Sequence, residues 1–346
     1  MIDETRDLRA IKLFVGFITT VIAVIILKAM ANIFLPLCMA LLLYFLLNGV
    51  VKKLVQWKIP RFIVLIFLLF SIFILFYFLG TLIYSSASSF VEKFPAYSER
   101  VLGMIKNASE KLKIPIGQVE NYISTIDWTK SLDSATALLS STFGSFAAFV
   151  GNLLLVLVYL IFMLAGGDAM NLRIDRAFDQ ERADKVKNVI NDIESQVRQY
   201  LAIKSFIALL NGTVAGIILF IAGVDFVIFS ALLVSLFNFI PNIGSVIATM
   251  FPVLICFLQY GFSLRLLLVL VGLMVTQFAI GNAVEPRITG KSLNLSPIVI
   301  LVSLIFWGYI WGIVGMILAV PLTSAIKIFC ENIPTLKPIA GLISAD

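Results

Sequence analysis

Apolar runs of about 20 residues recur along this chain, and that length leaves few folds open to it. A helix rises about 1.5 Å per residue, so about 20 apolar residues cross the roughly 30 Å hydrocarbon core of a bilayer. Runs of this kind lie at about 11–28, 32–51, 61–84, 146–165, 201–222 and 263–284, with two longer ones at 226–258 and 297–329. In hydrocarbon every backbone N–H and C=O needs a partner inside the protein, so runs this long span as helices. The sequence predicts an all-α polytopic membrane protein with about eight hydrophobic segments.

Composition agrees. The 346 residues are 60% hydrophobic and 13% charged, whereas soluble domains carry about 25% charged residues. The net charge of +6 is no sign of a nucleic-acid partner, because the lysines and arginines largely flank the spans. Histidine is absent, which removes histidine metal sites and histidine proton relays. Cys38, Cys256 and Cys330 lie far apart without metal or redox spacing. There is no phosphate-binding G-x-x-x-x-G-K-[ST] loop, nucleophile–base pair or metal cluster. The reading is of a non-enzyme without cofactors. The first run lacks a cleavage pattern and a second span follows at once, so it reads as a retained helix.

Charge sets the expected topology. Arg6, Arg9 and Lys12 precede the first span, and Lys52, Lys53, Lys58 and Arg61 follow the second. Both clusters favour the cytoplasm, and both termini are expected there. Residues 1–84 then form a three-span frame and 85–145 an external insert. In the insert Phe90, Phe94, Tyr97 and Val101 recur at helical spacing. Residues 146–200 hold a fourth span and a charged amphipathic helix with Val186, Val189, Ile193 and Val197 on one face. Residues 201–330 form the transport core and 331–346 a cytoplasmic tail.

The core carries helix breakers inside its apolar runs. Asn238, Pro241, Asn242, Gly244 and Ser245 interrupt the first long run, and Trp307, Gly308, Gly312 and Gly315 the second. Proline removes a donor and glycine removes restraint, so each run reads either as a re-entrant hairpin or as a plain span. Setting Phe237 against Phe306 places Pro252 against Pro321 without a gap. Two such runs entered from opposite sides would form an inverted repeat around a midplane site.

The candidate pathway residues follow. Glu285 is the only acid between Asp225 and Glu331, and an intramembrane carboxylate is by default a functional candidate. Arg287 lies two residues on, and Asn282 is placed to share the face of Glu285. The alternative is that Glu285 and Arg287 pair as a helix-end cap. Asn238, Asn242 and Ser245 could contact a hydroxylated solute or a cation, or satisfy the broken backbone of their own turn. Gln277 reads as an interhelical hydrogen bond, and Asn211, beside Gly212 and Gly216, as part of a packing face. Trp307 and Trp311 share a face, as a solute wall or a packing ridge. Lys28 is placed to snorkel from the end of the first span.

Three pieces carry a family resemblance: PNIGS at 241–245, GNAVEPRITGKSLNLSP at 281–297 and SLIFWGYIWGIVGMILAVPLT at 303–323. They resemble the AI-2E family of bacterial permeases. LPLCMALLLYFLLNGVVKKL and WKIPR upstream are similar to that family's second span and basic loop. One departure is Asn48-Gly49, where the family commonly has Asn-Pro. The resemblance implies a multi-pass inner-membrane protein, homo-oligomeric, that moves a small polar solute such as autoinducer-2 outward. It also admits sodium or lithium/proton antiport, with protons or sodium as partners beside membrane lipid. A scaffold or regulator that transports nothing is the alternative outside the class.

Overall fold

The computed structural model describes residues 2–112, 128–241, 243–289 and 294–345. Apart from one isolated bridge between Leu295 and Ser344, the described regular structure is helical. The helices are α1 (Ile2–Ala29), α2 (Ala31–Gln56), α3 (Arg61–Leu112), α4 (Trp128–Ala177), α5 (Gln180–Ala222), α6 (Val227–Phe237), α7 (Ile243–Tyr260), α8 (Leu264–Ala279), α9 (Glu285–Thr289), α10 (Pro297–Glu331) and α11 (Lys337–Ile343). A π-helical turn, Ile280–Val284, joins α8 to α9. Among the described residues five helices are long and apolar enough to cross a membrane, or six if a pair bent by 65° within α4 counts as one span. Phe14–Ala29, Val227–Phe237 and Gly244–Tyr260 are shorter apolar helices.

Two helices run on where hydropathy falls. The third apolar run and the amphipathic stripe after it are one helix, α3, 52 residues long. At about 1.5 Å per residue that is roughly 78 Å, more than twice the hydrocarbon thickness. The charged helix and the fifth span are likewise one helix, α5. A drop in hydropathy marks the membrane edge, and nothing between residues 84 and 95 or between 197 and 204 breaks a helix. The Ile114-Pro115 stop and the second amphipathic piece around Tyr122 lie outside the described residues.

The chain divides into two units, each assembled from separated segments. The first comprises Met1–Gln56, Asn152–Gln199 and Leu293–Asp346. Its fully buried side chains include Leu160 and Leu164 of α4, Val51 of α2 and Val197 of α5. Trp311 donates its indole N–H to the carbonyl of Leu27 at 3.1 Å, which satisfies one of the orphan carbonyls at the end of α1. The ammonium of Lys28 sits over the ring of Tyr309, 3.6 Å from its centroid. The tail is tied to the start of α10: Ser296 N–H donates to Ile343 O and Ala345 N–H to Asn294 O.

The second unit comprises Trp57–Gly151 and Tyr200–Ser292. Its core joins Ala215 and Leu219 of α5, Val234 of α6, Ala248, Ile255 and Cys256 of α7, and Val269 and Leu273 of α8. Phe62, Phe67, Phe70 and Phe78 of α3 stay more than half exposed. That suits a surface facing lipid tails, which are as apolar as the rings themselves.

Candidate functional site

The second unit's long apolar run is a helical hairpin. α6 and α7 pack on one another across residues 238–242. Gly244 permits the fold-back, because a Cβ there would lie 1.8 Å from the carbonyl oxygen of Phe237. The turn satisfies much of its own backbone: Phe239 N–H donates to Leu236 O, Ile240 N–H to Phe237 O and Gly244 N–H to Ile240 O. Pro241 sits inside it, where a missing donor costs little. The Asn238 side chain is therefore free for another partner.

That partner is Asn211. Its Nδ2 donates to Asn238 Oδ1 at 3.1 Å and to Gln277 Oε1 at 2.8 Å. Three elements, α5, the end of α6 and α8, thus bring three amides together. Close packing allows it: a Cβ on Gly212 would lie 1.9 Å from Ser235 Oγ, and one on Gly216 would lie 3.3 Å from Ala231 Cβ. Both N–H groups of Asn211 are spent on the two oxygens. Its Oδ1 and the Nδ2 of Asn238 are left buried without a protein partner among the described residues. Asn211 is fully buried and Asn238 nearly so. An unsatisfied buried polar atom costs about 1–3 kcal/mol, so a free acceptor beside a free donor calls for a ligand or water.

The second polar feature is an ion pair. Lys204 Nζ lies 2.5 Å from Glu285 Oε1. The lysine is buried, and Glu285 begins α9 directly after the π-helical turn. Such a turn inserts an extra residue into the helix and often marks a functional position. Arg287 and Asn282 are exposed, and Asn282 Nδ2 donates to Phe278 O of its own helix. Of the expected pathway residues, Asn238, Pro241, Gly244, Ser245, Asn282, Glu285 and Arg287 all lie in the second unit. Asn242 lies outside the described residues. Lys204 was not among the expected residues, although it is the only cation between Arg198 and Arg265 and sits within an apolar run.

Trp307 and Gly312 belong to the first unit. α10 breaks at Trp311, with φ −126° and ψ 15°, and at Gly312, with φ 65° and ψ −146°. The Gly312 conformation is one that side chains rarely adopt. A Cβ on Gly315 would lie 2.0 Å from the carbonyl oxygen of Trp307. Residues eight apart in a straight helix are separated by about 12 Å, so the chain doubles back here. The rings of Trp307 and Trp311 lie 5.0 Å apart and both side chains are buried. Each unit thus holds one long apolar run that folds back with a glycine against a backbone carbonyl.

A helical, polytopic protein whose apolar segments break beside buried amides and an ion pair has the build of a membrane transporter. The chain belongs to the AI-2E family of transporters, whose family model, described as AI-2E family transporter, matches residues 16–335. A Haemophilus influenzae protein named only as a transport protein is 30% identical over 346 residues, covering 98% of this chain and 97% of its own. A Borreliella burgdorferi protein named the same way is 28% identical over 320 residues, with 92% and 86% covered. The AI-2 transport protein TqsA of Escherichia coli K12 is 30% identical over 321 residues, with 91% and 90% covered.

Proposed function

We propose that this transporter exports a small hydroxylated solute across the bacterial inner membrane, and that Asn211, Asn238 and Gln277 contact it. Autoinducer-2 is the candidate solute, on the strength of the similarity to TqsA. The observation that carries the reading is the unpartnered acceptor on Asn211 beside the unpartnered donor on Asn238. A hydroxyl both donates and accepts, so one hydroxyl, or two neighbouring ones, can satisfy both atoms. A bare cation wants oxygen on every side and would face the amide nitrogen of Asn238. The Lys204–Glu285 pair adds no net charge, which suits a neutral solute.

Access would alternate by movement of the folded-back α6–α7 element. In this reading Pro241, Asn242, Gly244 and Ser245 shape the turn beside the site, and Trp307 and Gly312 form the corresponding break in α10. Asn282, Glu285 and Arg287 line the route beyond. The protein works as a homo-oligomer with both termini in the cytoplasm. Flux of autoinducer-2 from proteoliposomes tests the site. Asn238→Leu and Asn211→Leu should each slow efflux at least about tenfold, the scale of one lost buried hydrogen bond plus its orphaned partner. Wild-type flux from a folded Asn211→Leu/Asn238→Leu protein would remove the site from this cluster.

A further inference from the structure

We propose that the first unit holds a separate binding site for a drug-sized amphiphilic cation, with Glu194 as its counter-ion. The site is a cavity of about 530 Å³ between α2, α4, α5 and the later half of α10. That volume lies within the roughly 300–1,000 Å³ of small-molecule sites. Its walls include Tyr44, Phe45, Phe162 and Met163. Aromatic faces attract cations, and a thioether adapts to irregular apolar shapes.

Glu194 lines this cavity and is only 9% exposed. Asn48 Nδ2 donates to its Oε1 at 2.9 Å and holds the carboxylate in place. Among the described residues the only cation within 4 Å is Arg198, whose Nη1 stands 3.8 Å away. A buried carboxylate with one distant partner is under-compensated, and a ligand cation would complete it. Arg173 also borders the cavity but is exposed, and no ion pair joins it to the buried Glu194 among the described residues. An anion would meet Glu194 with repulsion. A hydrated inorganic cation would find one carboxylate and mostly apolar walls in place of its water. A cation carried on an apolar body matches both features.

The test uses the full-length protein in lipid nanodiscs and equilibrium dialysis. Tetraphenylphosphonium serves as the cation, and triphenylphosphine oxide as a neutral molecule of related shape. The cation should bind saturably and the neutral molecule at least about tenfold more weakly. Glu194→Gln keeps an oxygen for Asn48 and should weaken the cation at least about tenfold while leaving the neutral molecule unchanged. Gly166→Leu is the second variant. Gly166 lines the cavity and a Cβ there meets nothing within 4 Å, so the new side chain has room to enter and should weaken both ligands. Equal affinity for the two ligands overturns the proposal. So does cation binding that survives Glu194→Gln, or binding that ignores Gly166→Leu and therefore reports partition into lipid only.

Discussion

Lys204 and Glu285 are unequal partners, and that inequality predicts an asymmetric response to mutation. The lysine side chain is 5% exposed and the carboxylate 29%. Glu285→Gln strands a cation that water cannot reach, and breaking a buried pair in that way costs about 3–5 kcal/mol. Lys204→Met strands the less deeply buried partner, so its cost should fall nearer about 1–3 kcal/mol. Replacing both removes both charges, and such replacements are often neutral or stabilising, so the double variant should lie within about 1 kcal/mol of the parent. The coupling energy from the cycle is then at least about 3 kcal/mol. Reversible unfolding in mixed micelles, titrated with sodium dodecyl sulfate, measures all four corners. A larger loss from Lys204→Met than from Glu285→Gln would refute the burial reasoning. Additive losses in the double variant would refute the pairing itself.

Three further outcomes follow from the same structure. Gly244→Ala should cost at least about 1–3 kcal/mol, because its methyl meets a backbone carbonyl that no rotamer change can move. Gly166→Ala meets open space and should gain up to about 1 kcal/mol from helix propensity; the same micelle titration compares the two. Trp311→Phe removes the indole donor to Leu27 O and should lower stability by about 1 kcal/mol, with exchange of the amides at the end of α1 rising in hydrogen–deuterium measurements. Asp225→Ala deletes the acceptor of Lys93 Nζ at 2.6 Å and of the Tyr97 hydroxyl at 2.7 Å. Amide exchange over the loop at 223–226 should rise, while exchange in the α8 core around Val269 stays as in the parent.

What the sequence showed and what it hid divide along physical lines. Hydrophobic length reported the membrane class, since the bilayer sets it. Pro241 and Gly244, and the glycines after Trp307, reported the breaks, because those residues act on their own local backbone. The continuity of α3 and α5 past the membrane edge was not legible, because no residue ends a helix where polarity changes, and α3 runs on through Pro95. The amide cluster was half legible. Asn238 stood out beside its turn, and Gln277 was read as bonding between helices, which it does. Asn211 was read as packing, since its partners lie 27 and 66 residues away in the chain. Glu285 suggested Arg287 by proximity, yet residues two apart on a helix do not face each other. Its partner lies 81 residues upstream.

The measurement that bears most directly on the proposed transport is simultaneous flux from proteoliposomes of the purified protein. Released autoinducer-2 and internal pH would be followed together, with and without an imposed sodium gradient. A hydroxyl-binding amide site predicts autoinducer-2 efflux without sodium-dependent pH change, and its loss in Asn211→Leu/Asn238→Leu. Sodium-driven pH change without autoinducer-2 movement, abolished by Glu285→Gln, would contradict it and make the Lys204–Glu285 pair the centre of an ion exchanger.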